Sequence, residues 1–199
     1  MTSKLDLANQ ALTQLGAKRL TSITDGTSHA KLVNEIIDEV IQEVMIDGAF
    51  TSTIRRASLN QTSNTPAYEF TYEYQLPTNP KCLRVLEIET ANGNSLQYVA
   101  DYLEDQGYRI EGDKLLSDSE TAKIKYIAHI TDVGSYDSSL KMAIRAKLAA
   151  DLAYPITGST SLADRLYQKY ERVLARAKSI DGQNGSPRKI DSNDLTIIR

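Results

Sequence analysis

Apolar residues at helical spacing predict a first helix from about Lys4 to Leu15. Ser3 is expected to cap its start, with Asp6 three residues later in a capping-box arrangement. Gly16 is expected to end the helix, because glycine adopts the left-handed conformation there without strain. The apolar stripe of this helix consists of Leu5, Ala8, Leu12 and Leu15.

A second, longer helix is predicted to start at Thr27 or Ser28 and to end at Asp47-Gly48. Its apolar residues come as neighbouring pairs every four positions, namely Leu32 with Val33, Ile36 with Ile37, Val40 with Ile41, and Val44 with Met45. A stripe of this width can contact two partner helices rather than one.

From about residue 52 to 131 the apolar period changes from that of a helix to that of a strand. Short strands are predicted in TIRRASL, YEFTYEYQL, KCLRVLEIE, SLQYVA, YRIEG, KLL and AKIKYIAHI. Turn-forming residues separate them at positions 64–66, 77–80, 92–94 and 111–113.

The helical period then returns and predicts two more helices. The third carries Leu140, Ile144, Leu148 and Leu152, and is expected to stop near Pro155 because proline cannot continue the backbone bonding pattern. Ser161 is expected to cap the fourth, whose stripe is Leu162, Leu166, Tyr170, Val173, Leu174 and Ala177. Residues 181–199 have no period and are predicted to form an extended, flexible tail.

Helices at both ends of the chain with strands grouped between them predict an α+β fold. The expected arrangement is a four-helix bundle from the N- and C-terminal helices, with a central antiparallel β region at one end of it. The N-terminal helices of the bundle would occupy residues 1–51, the β region 52–131, the C-terminal helices 132–180 and the tail 181–199.

Composition excludes several classes of function. The 199 residues carry a net charge of −3, so binding driven by neutralisation of phosphates is not expected. Cys82 is the single cysteine, and with His29 and His129 far apart in sequence it makes a poor set of metal ligands. No apolar run approaches the roughly 20 residues of a membrane span, and the first ten residues lack a signal-peptide core, so assembly in a reducing cytoplasm is expected.

The stretch PAYEFTYEYQL, residues 66–76, raises the question of an exposed aromatic platform. Its large residues Phe70, Tyr72, Tyr74 and Leu76 alternate with polar ones. A platform for stacking nucleic-acid bases normally couples aromatic residues to Lys or Arg, and this stretch contains neither. We therefore predict an ordinary strand with one face in the core, in which Tyr72 and Tyr74 are largely buried.

The carboxylates do not form a recognisable catalytic pair. Those of the second helix, spaced by three and four residues, lie along one outer side, whereas a glycosidase needs two carboxylates facing across a cleft. Neither histidine belongs to a nucleophile motif. A sugar-binding loop remains an alternative at Glu104 and Asp105, which lie near Tyr102 and Tyr108 in the sequence. No catalytic residue, metal or cofactor is predicted, and the chain is not expected to be an enzyme.

Charge is distributed unevenly between two of the predicted helices. Residues 30–47 carry a net charge of −4, and residues 162–178 carry +3. Candidate interface charges are Glu35, Glu39 and Glu43 on the second helix and Arg165, Lys169 and Arg172 on the fourth. These faces could pair within one subunit, pair between subunits of a ring, or remain solvated.

Four segments in order resemble a known family. They are LANQALTQLGAKRLTSITD at 7–25, YEYQLPTNPKCLRVLEIE at 72–89, KIKYIAHITDVGSYDSSLKMAIRAKLAADLAYPITGS at 123–159 and YQKYERVLARAKSIDGQNG at 167–185. Together they cover most of the chain and resemble the head-to-tail adaptors of short-tailed phages, the tail tubular protein A group. That family usually has a Trp just after the second helix. This chain has no Trp, and Phe50 is expected to take over its packing role.

The resemblance implies a virion protein of the phage neck, assembled in the host cytoplasm as a homo-oligomeric ring, usually of twelve copies. Its partners would be the portal protein and the tail nozzle protein, and DNA would pass through the lumen without specific binding. Leu195, Thr196, Ile197, Ile198 and Arg199 are expected to anchor the tail on the portal. The alternative is a tail-associated carbohydrate hydrolase or binding module that uses Glu104 and Asp105.

Overall fold

The computed structural model describes residues 2–90, 95–97 and 107–183. Its helices are α1 (Lys4–Gln14), α2 (Ser28–Gly48), α3 (Ser138–Thr157) and α4 (Thr160–Gly182). Its strands are β1 (Ile54–Ser58), β2 (Asn60–Gln61), β3 (Tyr72–Gln75), β4 (Cys82–Thr90), β5 (Ser95–Gln97), β6 (Tyr108–Glu111), β7 (Lys114–Ser117) and β8 (Ala122–Ala128). The α+β composition predicted from the sequence is confirmed.

The starts of the first two helices agree with the sequence signals. The backbone N–H of Ser3 donates to the Asp6 carboxylate at 2.8 Å, and the Asp6 N–H donates to the Ser3 hydroxyl at 3.2 Å, which completes the capping box. Thr27 caps α2 by accepting a hydrogen bond from the N–H of Ala30. Gly16, just after α1, has a φ of +68°, as expected of a left-handed stop.

The predicted boundary between the last two helices is wrong by a few residues. Helix α3 continues past Pro155 to Thr157 and ends at Gly158, which has a φ of +68°. A proline in the last turn removes only one intrahelical hydrogen bond, so the helix can accommodate it there. The cap of α4 is Ser159 instead of Ser161, because the hydroxyl of Ser159 accepts the N–H of Leu162 at 3.3 Å.

The described part of the β region forms two four-stranded antiparallel sheets instead of one central sheet. Sheet A has the strand order β1-β8-β4-β5, and sheet B has the order β2-β3-β7-β6. The chain passes from sheet A to sheet B between β1 and β2, at Leu59. The two sheets share one apolar core, which contains Tyr74, Leu76, Val85, Ile88, Tyr108, Leu115, Ala122, Ile124, Tyr126 and Ala128.

The four-helix bundle predicted from the sequence is also wrong. Helix α3 is central and packs against α1, α2 and α4, whereas those three helices contact one another only marginally. The reason lies in the composition of α3, in which small residues are buried on several sides as well as on the predicted leucine stripe. These residues are Ala143, Ala146, Ala149, Ala150 and Ala153. Alanines let neighbouring helices approach α3 from different directions.

Sheet A connects the β region to the helices. Ile127 of β8 is fully buried in the helical core, and Leu83 and Leu86 of β4 pack against that core. The other face of sheet A contributes to the core between the sheets. Phe50, which follows α2, is also fully buried among the helices, in agreement with the packing role expected of it.

The aromatic stretch forms a shorter strand than predicted. Strand β3 covers Tyr72–Gln75 only, because Glu69 has a φ of +72°, which interrupts an extended backbone. Tyr74 is 1% exposed, and Tyr72 is partly buried against the same core. Tyr68 is 77% exposed. The prediction of a buried core strand is therefore confirmed at Tyr74 and holds only in part at Tyr72, while residues 66–71 form a loop.

Helix α4 extends to Gly182, and its last turn is fixed to the residues after α2. The Asp181 carboxylate accepts hydrogen bonds from the backbone N–H and the hydroxyl of Thr51, at 2.8 and 2.7 Å. Asp181 is buried and carries no ion pair within the described residues, so these hydrogen bonds compensate its burial.

Replacing Gly48 by alanine is expected to lower the free energy of unfolding by about 1 to 3 kcal/mol, the usual cost of overpacking a core. A Cβ atom at Gly48 would lie 2.0 Å from the ring of Phe50, which is completely buried, so the ring would have to shift. Urea unfolding measures the effect. Gly26→Ala is the matched control, since its Cβ would meet nothing within 4 Å. Equal unfolding midpoints for the two variants would contradict the close packing at Gly48.

Candidate subunit interface

The acidic residues singled out on α2 lie at its surface. Glu35, Glu39 and Glu43 are all exposed, and their spacing of four residues places them along one side of the helix. Glu43 is partly engaged, because its carboxylate lies 3.0 Å from the ammonium group of Lys147. The solvated acidic face predicted from the sequence is therefore present, with one member tied to α3.

A groove of about 220 Å³ runs between α2 and α3 beside these acids. Its floor is apolar, and carboxylates from both helices border it. We call it the acidic groove; its residues are Leu32, Ile36, Glu39, Val40, Glu43, Asp151, Leu152 and Pro155. Because Pro155 has no N–H, the carbonyl oxygen of Asp151 lacks the usual intrahelical donor. The groove thus combines apolar surface with acceptors for hydrogen bonds.

A buried lysine joins three helices at one end of the acidic groove. The side chain of Lys147 is 9% exposed, and its ammonium group lies 3.0 Å from Glu43 and 3.3 Å from Asp151. It also lies 5.5 Å from the ring centre of Tyr167 and 5.6 Å from that of Tyr170. Two carboxylates and two aromatic faces therefore compensate the burial of this charge.

Burial shifts the pKa values of Lys147 and Asp151 in this cluster. Burial lowers the pKa of Lys147, but the hydrogen bond that its ammonium group donates to Glu43 and the charge of Asp151 outweigh that effect and hold the pKa above its ordinary value. Burial raises the pKa of Asp151 by more than Lys147 lowers it. The lysine therefore stays protonated at neutral pH and fixes α2, α3 and α4 relative to one another.

The end of α2 is held against α4 by a second contact. The hydroxyl of Tyr170 donates to the Asp47 carboxylate at 3.1 Å, and the Lys178 ammonium donates to the backbone carbonyl of Asp47 at 3.0 Å. Tyr167, Tyr170 and Lys178 therefore mark the side of α4 that faces α2.

The basic residues of α4 lie on its other side. Arg165, Lys169, Arg172 and Arg176 are exposed at spacings of four, three and four, and we call them the basic stripe. Successive residues turn about 100° around a helix, so the stripe lies roughly opposite Tyr167. Lys169 donates to the Gln14 side chain of α1 at 2.8 Å, in agreement with this placement.

In the described part of one subunit, the acidic groove and the basic stripe are not joined by ion pairs. Among residues 2–90, 95–97 and 107–183, no ion pair joins Glu35, Glu39 or Glu43 to a member of the basic stripe. Pairing within the subunit, one of the possibilities left open by the sequence, is therefore not observed there. The two oppositely charged surfaces are therefore left unpaired with each other in the described part of the subunit.

Sequence reasoning missed the Lys147 cluster. The signal was present, since Lys147 and Asp151 stand four residues apart in a helix whose neighbouring positions are almost all apolar. A charge in such a place is either paired or expelled. The partners on α2 and α4 could not be identified from the sequence, because they depend on how the helices pack.

The remaining predicted positions give less information. Glu104, Asp105 and the tail residues Leu195, Thr196, Ile197, Ile198 and Arg199 lie outside the described residues. Within the described ranges, no group of three or more His, Cys, Asp or Glu residues could hold a metal ion. In the same ranges, no helix has the length and hydrophobicity needed to cross a membrane.

No family model matches the chain, and no curated protein sequence matches it either. The resemblance to phage adaptors therefore rests on the motifs alone.

Proposed function

We propose that this chain is a structural head-to-tail connector of a short-tailed phage, which forms a ring between the portal and the tail nozzle. The motifs from residue 7 to residue 185 support this proposal, because they occur in the order typical of the adaptor family. In this function the chain acts by assembly instead of catalysis. The ring extends the DNA channel within the virion neck.

The observation that carries the proposal is that two oppositely charged surfaces form no ion pair with each other in the described part of one subunit. A surface that is complementary to a different surface of the same chain gives heterologous association, which produces a closed ring when the rotation between copies closes. The acidic groove and the basic stripe are such a pair. Twelve copies, as is usual in the family, would close this ring.

The charge of the whole chain suits a DNA channel. With a net charge of −3, each copy adds a slight negative charge to the ring, and negative surfaces do not retain the phosphate backbone. DNA would pass through the lumen without specific contacts. The portal and nozzle proteins are the other proposed partners, and assembly would take place in the host cytoplasm.

Reversing the basic stripe is expected to weaken ring formation. A variant with Arg165→Glu, Lys169→Glu and Arg172→Glu should associate at least about tenfold more weakly than the natural chain at low ionic strength, since charge pairs across an interface contribute to affinity. The difference should shrink in high salt, which screens exposed charges. Sedimentation at several concentrations measures the association.

The matched control reverses Lys18, Arg19 and Lys81, three exposed basic residues that lie outside α4. It alters net charge by the same amount and should leave association nearly unchanged. If the stripe variant and the control associate equally well at low ionic strength, the stripe does not join subunits.

Deleting residues 186–199 is expected to weaken binding to the portal while leaving the folded core intact. Leu195 and Ile197 are two residues apart, a spacing that places both on one face of an added strand. Co-sedimentation with the portal protein of the same phage measures binding, and thermal unfolding measures the core.

A finer variant separates the apolar anchor from the length of the tail. Leu195→Asn with Ile197→Asn should weaken portal binding about as much as the deletion, and Asp191→Ala with Asn193→Ala should not. Portal binding by the truncated chain as tight as that of the full chain would show that the tail is not the anchor.

A further inference from the structure

We propose that the acidic groove of one copy receives the basic stripe of α4 from a second copy. This inference rests on the proposed function and names the two surfaces that meet in the ring. The occupant of the groove is thus another molecule of the same chain, bound head to tail.

The two surfaces match in length. Arg165 and Arg172 are seven residues apart on α4, and Glu35 and Glu43 are eight residues apart on α2. With a rise of about 1.5 Å per residue, these spans are about 10 and 12 Å. Each of the first three basic residues can therefore lie beside one acidic residue when the helices run alongside each other.

The two surfaces also match in charge. Glu39, Glu43 and Asp151 line the groove, Glu35 lies one helical turn before Glu39 on α2, and Lys147 neutralises one of these four carboxylates. The remaining charge of −3 equals in magnitude the +3 of Arg165, Lys169 and Arg172. Arginine has five N–H donors, so it can also satisfy the carbonyl oxygen of Asp151 that Pro155 leaves without its intrahelical donor.

The apolar floor of the groove fits the stems of these basic residues. Leu32 and Ile36 are only partly buried in the single subunit. Lysine and arginine side chains cover apolar surface with their methylene groups while their charged ends remain at the rim. A basic helix face would therefore cover the apolar floor of the groove and form ion pairs with the carboxylates at its rim.

A charge-swap experiment with the full chain tests this contact. The groove variant carries Glu35→Lys and Glu39→Lys, and the stripe variant carries Arg165→Glu and Lys169→Glu. Glu43 is left unchanged because it holds Lys147. All four substituted residues are exposed, so both variants should unfold at the temperature of the natural chain.

Each variant alone should associate at least about tenfold more weakly than the natural chain at low ionic strength. An equimolar mixture should recover association, because the basic stripe of the first variant meets the natural groove of the second, and the acidic stripe of the second meets the basic groove of the first. The recovered rings should contain both variants in equal numbers, as native mass spectrometry would show. A groove control, Glu111→Lys with Glu120→Lys, changes exposed acids of the β region and should associate normally.

Two results would overturn the inference. One is normal association of the groove variant while the stripe variant is weakened, which would mean that the stripe meets another surface of the neighbouring copy. The other is a mixture no stronger than its components. In both cases the natural chain still associates, so the proposed ring stands. If the natural chain associates neither alone nor with portal protein, the proposed function itself fails.

Discussion

Tyr74→Ala is expected to lower the free energy of unfolding by about 3 to 5 kcal/mol, the usual cost of removing a buried aromatic ring. Tyr74 is 1% exposed and lies between the two sheets, where its partner in the neighbouring strand is the fully buried Leu115. Its hydroxyl donates to the carbonyl oxygen of Ser119, so the substitution also removes a hydrogen bond. Urea unfolding followed by circular dichroism measures the loss.

Three further substitutions show whether the loss of stability depends on how deeply the tyrosine is buried. One is at Tyr74 itself, and two are at other tyrosines of the same stretch. Tyr74→Phe keeps the ring and should cost only about 1 kcal/mol for the lost hydrogen bond. Tyr72→Ala should cost less than Tyr74→Ala, because Tyr72 is only partly buried. Tyr68→Ala should stay within about 0.5 kcal/mol of the natural chain, since Tyr68 is 77% exposed. If Tyr74→Ala and Tyr68→Ala unfold at the same urea concentration, the core between the sheets is wrongly placed.

Lys147→Met is expected to lower the free energy of unfolding by about 3 kcal/mol. The substitution keeps the apolar stem but removes the charge that compensates Glu43 and Asp151. This value is at the lower end of the range for breaking a buried ion pair, because Glu43 remains half exposed and can be hydrated. Lys141→Met on the same helix is the control, with no ion pair among the described residues and an expected change below about 0.5 kcal/mol.

A second test of the Lys147 cluster is the pH dependence of the difference in unfolding free energy between the natural chain and Lys147→Met. Because the pKa of Lys147 is raised in the folded protein, its stabilising contribution is complete below the ordinary lysine value of 10.5 and is lost as the pH rises through the folded pKa. The stability difference between the natural chain and Lys147→Met should therefore shrink in strongly alkaline solution. A difference that stays constant there would mean that the charge of Lys147 does not contribute.

Local features were predictable from the sequence because short-range interactions determine them. The capping box at Ser3 and the stop at Gly16 depend on a few neighbouring residues, and the periods of the apolar positions depend on one element at a time. The outer side of α2 on which Glu35, Glu39 and Glu43 lie was predictable for the same reason, whereas the partners of the charges on α2 and α4 were left open. Each assignment required only the helix to which the residue belongs.

The arrangement of the elements was not predictable in the same way. The leucine stripe of α3 suggested one buried side, yet Ala146, Ala149 and Ala150 bury other sides, and alanine gives no directional signal. The interruption of the aromatic strand at Glu69 also depends on the loop that crosses sheet B, where Arg109 forms an ion pair with Glu69 at 2.8 Å. Long-range packing decides such features.

The most direct test of the proposed connector is an electron-microscopy image of the full chain mixed with the portal protein of the same phage. The proposal predicts closed rings of this chain stacked coaxially on the portal, with an open channel through both. Single copies that remain apart from the portal under these conditions would contradict it.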